Sequence, residues 1–260
     1  MQYLALMLDA PLQSWGFASR FQRRTTGPHP TKSGVVGLLC AALGLAKGSD
    51  DEKEWLPRLA KLQMTVVTIP RTKAGIRHPP SEPELPIRHL EDFHTVGAGY
   101  DPDTEWQSMS RSADGKTLKN PVVSHRQYLA DSRFGVLLAG DDAEALARAA
   151  NAVRNPVWGV WFGRRCCIPA RPVFAGGPFE GEADAWKALL KAAGLAEGLQ
   201  PTALTRVEEA ADFATGTDTI NDQPQSFGNG HSSGPEGRKF VPRRIRVVPK
   251  SGLAATSTST

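Results

Sequence analysis

YLALML at residues 3–8 is a short apolar run, and this pattern predicts a buried strand. SGVVGLLCAALG at residues 33–44 is almost wholly apolar, which predicts a helix from residue 33 to residue 46. The connection between them is basic, because residues 10–49 include five basic residues and no acidic one. A buried strand and helix joined by an unneutralised basic loop indicate a folded platform for a polyanion.

The basic residues are segregated along the chain, although the net charge of +4 over 260 residues is modest. Three segments carry basic residues without acidic ones, namely 10–49, 155–179 and 237–260. This segregation favours a one-sided phosphate-binding face; the alternative is a solvated surface on which charges cluster by chance. An apolar content of 40% and a charged content of 22% are typical of a globular protein with one large core or two small domains.

The three cysteines do not indicate a metal centre. Cys40 lies in the apolar helix, and adjacent Cys166 and Cys167 cannot easily pair with each other because neighbouring side chains point apart. No CxxC spacing occurs, so we expect no zinc site and no cofactor, and a reducing compartment fits best. The chain has neither a signal-peptide pattern nor an apolar run of about 20 residues, so we predict a cytoplasmic protein without a membrane partner.

Hydrophobic periodicity and turn residues predict a strand–helix–strand order that occurs twice. The predicted segments are the strand 3–8, the helix 33–46, a second helix 51–61, the strand 64–69, an excursion 71–124, a strand-like stretch 126–139, a helix from Asp141 or Asp142 to residue 154, and a strand 157–162. We expect Thr31 or Ser33 to cap the helix 33–46 and Gly48 to end it. The βαββαβ order predicts an α+β protein of ferredoxin-like (RRM-like) topology.

The excursion at residues 71–124 is too long for an ordinary connection in a compact domain. It holds five prolines between residues 79 and 102, and we interpret it as an extended insertion for which a hairpin arm is one possible form. Beyond residue 171 weaker signals predict a helix at 184–196, a loop at 214–237 and a last basic strand at 240–248.

Five segments, taken in order and with their spacings, resemble a single family. They are PLQSWG (11–16), PTKSGVVGL (30–38), DFHTV (92–96), RQYLAD (126–131) and FGRRCC (162–167). Together they resemble the CasD family of type I-E Cascade subunits, which are repeat-associated (RAMP superfamily) CRISPR proteins.

The resemblance implies a noncatalytic RNA-binding subunit that holds the 5′ handle of a guide RNA in a complex for antiviral defence. It implies a ferredoxin-like domain at 1–175 with a thumb inserted at 71–124. The rest of the sequence predicts a smaller β-rich region at 176–250 and a disordered tail at 251–260. The implied partners are the guide RNA, the first backbone subunit and the large subunit, through which target DNA lies nearby.

The strongest candidate RNA contacts are basic and aromatic residues at strand ends. Arg126 and Tyr128 lie two residues apart on a predicted strand and so share a face, which suits base stacking and phosphate contact. The resemblance also implies that Arg126 inserts among the handle nucleotides, whereas Tyr128 could equally lie in the core. Arg164 and Arg165 follow Gly163, a residue that permits close backbone approach, and their guanidiniums can bind phosphates or stack on bases; the alternative is a surface pair neutralised by acids.

A second group of candidates lies in the first basic segment, and each has a structural alternative. Trp15 could stack on RNA or pack in the core, and Arg23, Arg24 and Lys32 could line the handle or a neighbouring subunit, as could Arg20. The segment before Ser33 lacks the glycine of a Walker loop, but the positive end of a helix begun by Ser33 could hold one phosphate.

Two alternative functions remain open. A metal-independent endoribonuclease that processes precursor guide RNA would need a base, an acid and a cation, which the candidates His94, Tyr100, Lys116 and His125 could supply. The other alternative is a ferredoxin-like assembly protein without direct RNA contact.

Overall fold

The computed structural model describes residues 1–16, 22–71, 84–96, 122–195, 198–228 and 237–251. The strands of this part are β1 (Gln2–Asp9), β2 (Leu12–Gln13), β3 (Arg23–Arg24), β4 (Gln63–Thr68), β5 (Arg88–Val96), β6 (Val122–Ala130), β7 (Arg133–Gly140), β8 (Phe174–Phe179), β9 (Arg206–Glu209), β10 (Asp218–Ser226) and β11 (Lys239–Val248). The helices are α1 (Lys32–Leu43), α2 (Asp50–Lys61), α3 (Ala143–Arg154), α4 (Glu182–Ala193) and a short 3-10 helix at Pro201–Ala203.

A seven-stranded sheet in the order β10-β11-β9-β4-β7-β1-β8 forms the main layer of this mixed α/β fold. Neighbouring strands are antiparallel, and β1 pairs with β7 over its whole length, from Gln2 opposite Gly140 to Asp9 opposite Arg133. The apolar run predicted as the first strand is therefore confirmed as a central strand.

Helices cover both faces of the central strands, since successive side chains of a strand point to opposite sides. Leu4, Leu6 and Leu8 of β1 belong to a buried cluster with residues of α1, α2 and α3. Ala5 and Met7 belong to a second cluster with residues of α4 on the opposite face. The continuous apolar character of β1 follows from this burial on both sides.

Helix α1 begins as predicted and ends earlier than predicted. The Thr31 hydroxyl accepts a hydrogen bond from the amide of Gly34, which confirms one of the two predicted N-caps. Gly44 takes a left-handed conformation with φ of 73°, and the amide of Leu45 donates to the carbonyl of Cys40 at 2.9 Å. The helix therefore stops in a glycine-ended cap at Gly44, and the predicted stop at Gly48 is wrong.

The predicted helices 51–61 and 141–154 and the strand 64–69 correspond to α2, α3 and β4 within one or two residues. The Asp142 carboxylate caps α3 by accepting from the amide of Ala145 at 3.0 Å.

Two strand predictions around α3 are wrong. The strand-like stretch 126–139 is two strands in two sheets, because the chain turns at Asp131, whose φ is 52°, and Ser132 between β6 and β7. Residues 157–162 do not form a strand. The amide of Val157 donates to Ala42 and that of Trp158 to Ala41, so this segment binds carbonyls at the end of α1 instead of a strand. The strand that follows α3 is β8.

The excursion predicted at 71–124 carries a second, smaller sheet. Strands β5 and β6 are antiparallel from Arg88 opposite Ala130 to Val96 opposite Val122, while β2 and β3 pair with the other edge of β6. The described residues thus include a two-stranded arm with its base at the main sheet. Residues 72–83 and 97–121 of the excursion lie outside the described part.

The region predicted as a separate C-terminal part, residues 176–250, continues the main sheet through β9, β10 and β11. The predicted boundary after residue 175 falls inside β8. The loop predicted at 214–237 is wrong for residues 218–226, because β10 is a polar strand that gains its regular structure by pairing with β11. The predicted tail lies outside the described residues except for Ser251.

Three buried charges and one partly buried carboxylate connect these C-terminal strands to the start of α1. Arg243 donates to both carboxylate oxygens of Asp222 at 2.9 and 2.8 Å, and Asp222 also accepts from the backbone amide of Lys32 at 2.7 Å. The Lys32 ammonium lies 2.8 Å from Glu209, and the Glu209 carboxylate accepts from the amide of Met64 at 3.0 Å. This cluster of Lys32, Glu209, Asp222 and Arg243, the buried charge cluster, joins α1 to β4, β9, β10 and β11.

We expect Asp222→Ala to lower the free energy of unfolding by about 3 kcal/mol, because it leaves the Arg243 guanidinium buried without its bidentate partner. Urea unfolding of the full chain measures the effect. Asp218→Ala on the same strand is the matched control, because Asp218 is exposed and we expect a change of at most about 0.5 kcal/mol. Equal losses in the two variants would contradict a structural role for the cluster.

Candidate nucleic-acid interface

The short strand β3 places two exposed arginines beside the arm. It runs parallel to β6, with Arg23 next to His125 and Arg24 next to Arg126 in the register. The amide of His125 donates to the carbonyl of Gln22 at 2.9 Å, which fixes this edge pairing. Of the two predicted candidates on β3, Arg24 therefore lies next to Arg126, and Arg23 lies one position earlier beside His125.

The loop that follows Phe162 is held against the segment that contains β2. The amide of Ser14 donates to the carbonyl of Phe162 at 2.9 Å, and the amide of Phe162 donates to Cys167 at 2.9 Å. Gly163 has a φ of 96°, and a Cβ atom at this position would lie 1.7 Å from the carbonyl oxygen of Ser14. Only glycine fits here, so the close approach that the sequence suggested is made to the protein's own backbone.

Arg164 links this loop to both β3 and β6. Its guanidinium lies over the ring of Tyr128, 4.6 Å from the ring centroid, and its Nη2 donates to the carbonyl of Arg24 at 2.8 Å. Its Nη1 is buried and has no hydrogen-bond partner in the described part of the chain. A donor without a partner at the edge of a basic surface is a group that a bound anion or base could satisfy.

Tyr128 is a core residue, which was one of its two predicted roles. Its side chain is part of the main cluster and the residue is only 4% exposed, so its ring offers no free face to a base. Cys166 Sγ lies 3.6 Å from the Tyr128 hydroxyl, and burial raises the pKa of Tyr128 above its ordinary value. Tyr128 therefore supports Arg164 from below and is corrected from a direct contact to a positioning residue.

Arg126 is half-buried, and its Nε donates to Ser124 Oγ at 3.2 Å. Asp92 lies directly opposite Arg126 in the register of β5 and β6, yet no ion pair joins the two among the described residues. With Arg23, Arg24, Arg164 and the exposed Arg165, Arg126 forms a group that we call the arginine surface.

Trp15 does not belong to this surface, because the residue is 1% exposed. Its ring packs on Phe162 with centroids 5.9 Å apart, and its indole nitrogen donates to Gln13 at 2.9 Å. The ring also lies so close to α1 that a Cβ atom at Gly34 would be 2.8 Å from it. Of the two roles that the sequence left open for Trp15, the structure shows packing in the core, so its place among the candidate RNA contacts is corrected.

Lys32 and Ser33 do not form a phosphate site either. Lys32 is buried and paired with Glu209, and burial lowers the pKa of the Lys32 ammonium. The amide of Lys32 is already bonded to the Asp222 carboxylate and that of Gly34 to the Thr31 hydroxyl. The predicted anion site at the start of α1 is thus filled by the protein's own acceptors.

The two described members of the alternative catalytic set lie on opposite faces of the arm. His125 is opposite Phe93, with ring centroids 4.3 Å apart, and its Nδ1 lies 3.2 Å from Glu91. His94 follows Phe93 and is opposite Ser124, so its side chain points to the other face. Tyr100, Lys116 and the candidate Arg20 lie outside the described residues.

A set of exposed apolar side chains next to the arginine surface was missed at the level of sequence. It consists of Val157, Trp158, Trp161 and Ile168. The sequence predicted an apolar strand here, and the signal that could have corrected this was Gly159 between two tryptophans, Trp158 and Trp161, shortly after Pro156. The described residues contain no group of three or more metal-ligating side chains, and none of their helices is long and apolar enough to cross a membrane.

The main sheet with its arm and the arginine surface fit the class of protein that the sequence motifs indicated. The family model of the CRISPR-associated proteins Cas_Cas5 matches residues 3–246, so the chain belongs to this family. The chain is 29% identical over 178 residues to the CRISPR system Cascade subunit CasD of Escherichia coli (strain K12), which is 67% of this chain and 70% of the relative. The predicted resemblance is thereby confirmed at the level of a CasD-type Cascade subunit.

Solved structures agree with this family. A chain of a CRISPR RNA-guided surveillance complex matches with a TM-score of 0.67 and 26% identity, over 95% of this chain and 90% of its own length. A crystal structure of a Cas protein matches with a TM-score of 0.57 and 28% identity, over 95% of both chains. The fold similarity therefore includes the sheet, the helices and the region after residue 175.

We expect Gly163→Ala to lower the free energy of unfolding by about 2 kcal/mol or more, because the added methyl group collides with the Ser14 carbonyl and φ is positive. Gly181→Ala is the matched control, since Gly181 has a φ of −115°. The nearest atom to a Cβ there is 3.7 Å away, and we expect a loss of only about 0.5–1 kcal/mol, because Gly181 is the N-cap of α4, where alanine is less favourable than glycine. Urea unfolding of both variants tests this, and a Gly163→Ala chain as stable as wild type would show that the loop is not fixed by Ser14.

Proposed function

We propose that the chain is an RNA-binding subunit of a CRISPR surveillance complex and that its arginine surface holds the 5′ handle of the guide RNA. The observation that carries this proposal is the placement of Arg164, which lies over Tyr128, bonds the carbonyl of Arg24 and keeps one donor without a partner among the described residues. Guanidinium groups suit single-stranded RNA because they stack on bases and donate to phosphate oxygens.

The coverage of the main sheet supports this location. RNA-recognition domains bind bases on aromatic side chains of an exposed sheet face. Here α1 and α3 cover one face of the central strands and α4 covers the other, so neither face is exposed to RNA. A bound strand of RNA therefore has access to the edge formed by β3, β6 and the loop after Phe162, where the arginines lie.

We infer a ferredoxin-like core from the strand order. Within the main sheet, β4, β7, β1 and β8 are adjacent in that order, and each neighbouring pair is antiparallel. Numbered along the chain these are the second, third, first and fourth strands of a βαββαβ unit, with α1 and α3 on one face. In this proposal β9, β10 and β11 extend the unit as the smaller C-terminal part, and the arm is the inserted thumb.

We further propose that neighbouring subunits cover the apolar side chains beside the arginine surface. Large exposed apolar groups on a folded protein commonly mark an interaction surface, and Trp158 and Trp161 are among them. The proposed partners are the first backbone subunit and the large subunit, through which target DNA lies nearby, in the cytoplasm. The solved relative with the higher TM-score is itself a chain of an RNA-guided surveillance complex.

The proposed role is noncatalytic. Metal-free RNA cleavage requires an acid and a base on one phosphodiester, whereas His94 and His125 point to opposite faces of the arm. The endoribonuclease alternative is not favoured by this arrangement, and the similarity to a CasD subunit points to a structural part of Cascade.

Arg126→Ala should weaken guide-RNA binding by about 1–3 kcal/mol, because stacking and charge contacts are lost together. Arg126→Lys should restore little of this loss, since an ammonium does not stack as a plane. Fluorescence anisotropy with labelled repeat RNA at fixed salt measures the affinity. Arg148→Ala on α3 is the matched control, because Arg148 is exposed and rests on Trp55 away from the arm. Equal binding by wild type and both Arg126 variants would remove Arg126 from the interface.

The purified chain should leave repeat RNA intact in EDTA, and His94→Ala and His125→Ala should not change guide-RNA maturation in cells that express the whole complex. Denaturing gel electrophoresis of end-labelled repeat RNA measures cleavage. A product with a 2′,3′-cyclic phosphate that either substitution abolishes would establish the endoribonuclease instead.

A further inference from the structure

A single buried carboxylate, Asp9 at the end of β1, is surrounded by three arginines. Its Oδ1 accepts from Arg71 Nη2 at 2.8 Å and its Oδ2 from Arg133 Nε at 3.2 Å, while Arg171 Nε lies 3.4 Å from the same Oδ2. Asp9 is the only acid that forms an ion pair with any of the three among the described residues. The cluster therefore carries two positive charges in excess.

Two of these guanidiniums retain donors without partners. Arg133 is fully buried, and its Nη2 donates to the carbonyl of Ala193 at 2.6 Å, but its Nη1 has no partner in the described part of the chain. Arg71 Nε is likewise buried and without a partner there. Burial lowers the pKa of Arg133 most, and repulsion from Arg71 and Arg171 lowers it further against the attraction of Asp9. Excess buried positive charge is costly, and an anion bound to the exposed guanidinium groups of the cluster offsets it.

An anion can reach this cluster from solvent. The side chains of Arg71 and Arg171 are 30% and 35% exposed, whereas those of Asp9 and Arg133 lie beneath them. The guanidinium groups of Arg71 and Arg171 thus lie above the buried ion pair of Arg133 and Asp9. Guanidinium groups commonly bind oxyanions through two parallel N–H···O bonds.

The cluster is separate from the arginine surface. Asp9 follows Ala5 and Met7 on the side of β1 that faces α4, and Arg133 is bonded to the last residue of α4. The loop of the arginine surface instead packs with Trp15 and Phe162 on the side of α1. Arg71 is also the point at which the chain leaves β4 for the arm, where its carbonyl accepts from the amide of Leu85 at 2.7 Å.

We propose that Arg71 and Arg171, supported by Arg133 and Asp9, bind a backbone phosphate of a nucleic acid at the base of the arm. The two anionic oxygens of a phosphodiester can each accept from one of the exposed guanidiniums while the negative charge offsets the excess of the cluster. Guide RNA and DNA both supply this group, and the chemistry of the site is the same for the two sources.

The test compares Arg171→Ala and Arg71→Ala with wild type in the full chain. Anisotropy is measured with labelled single-stranded repeat RNA and with a labelled DNA duplex over a series of salt concentrations. For the nucleic acid that uses the site, we expect the affinity to fall about five- to tenfold and the slope of log affinity against log salt to decrease by about one. The nucleic acid that shows this change identifies the source of the phosphate.

Arg246→Ala is the matched control. Like Arg171, Arg246 is an arginine at least partly exposed to solvent in an ion pair with one carboxylate, in this case that of Glu208. Arg171→Lys should keep the salt slope and lose part of the affinity, since a point charge remains but the fork is gone. Unchanged affinity and salt slope for both nucleic acids in Arg171→Ala would overturn the proposal, and this partly exposed residue can be replaced even if Arg71→Ala fails to fold.

The same assay separates this proposal from the proposed function. A loss of binding in Arg171→Ala with none in Arg126→Ala would leave the phosphate site standing and the arginine surface without a role. The reverse result would remove the phosphate site alone.

Discussion

The contact on which the arrangement of the molecule most depends is that between Asp222 and the first turn of α1. The Asp222 carboxylate accepts from the amide of Lys32 and from Nε and Nη2 of Arg243. It therefore joins residues that are about two hundred positions apart in the chain. Glu209 adds the Lys32 ammonium and the amide of Met64 to the same cluster. The C-terminal strands are thereby held to the N-terminal helix, and the positive end of that helix is occupied from within the protein.

Because Asp222 and Glu209 already bind the first turn of α1, a ligand must bind elsewhere on the molecule. The start of α1 is closed by Asp222 and Thr31, and the two faces of the central strands are covered by α1 with α3 and by α4. Free guanidinium groups remain at the periphery, where the short strand β3 and the loop after Phe162 meet the arm. The proposed RNA contacts therefore lie in the elements added to the central sheet, and that sheet supports them.

Local signals were sufficient for the elements whose boundaries local chemistry decides. The apolar run of β1, the Thr31 cap and the Asp142 cap each involve residues that are close in sequence. The errors arose where distant residues decide the outcome. Residues 157–162 have the composition of a strand, but the amides of Val157 and Trp158 bind carbonyls at the end of α1. Lys32 and Trp15 were candidates for the surface, but Lys32 is buried in an ion pair with Glu209 and Trp15 packs on Phe162 in the core. Arg126 and Arg164 were predicted because their motifs lie on a strand or beside a glycine, and the structure places both next to Arg24 of β3, Arg126 in the register and Arg164 through a hydrogen bond.

Composition could not distinguish these arginines from one another, because a net charge of +4 says nothing of which cations are already neutralised. The structure separates them by their partners. Arg243 is fully used by Asp222 and Glu209, whereas Arg164 and Arg133 each keep one buried nitrogen that no group in the described residues satisfies. A buried donor without an acceptor destabilises the free protein, and the two donors lie in different parts of the fold, Arg164 in the loop after Phe162 and Arg133 in β7 of the main sheet. In the two proposals above, a bound polyanion offsets the surplus positive charge around each of them. Charge surplus around specific guanidinium groups, and not total charge, is therefore the physical basis for the proposed nucleic-acid contacts of this chain.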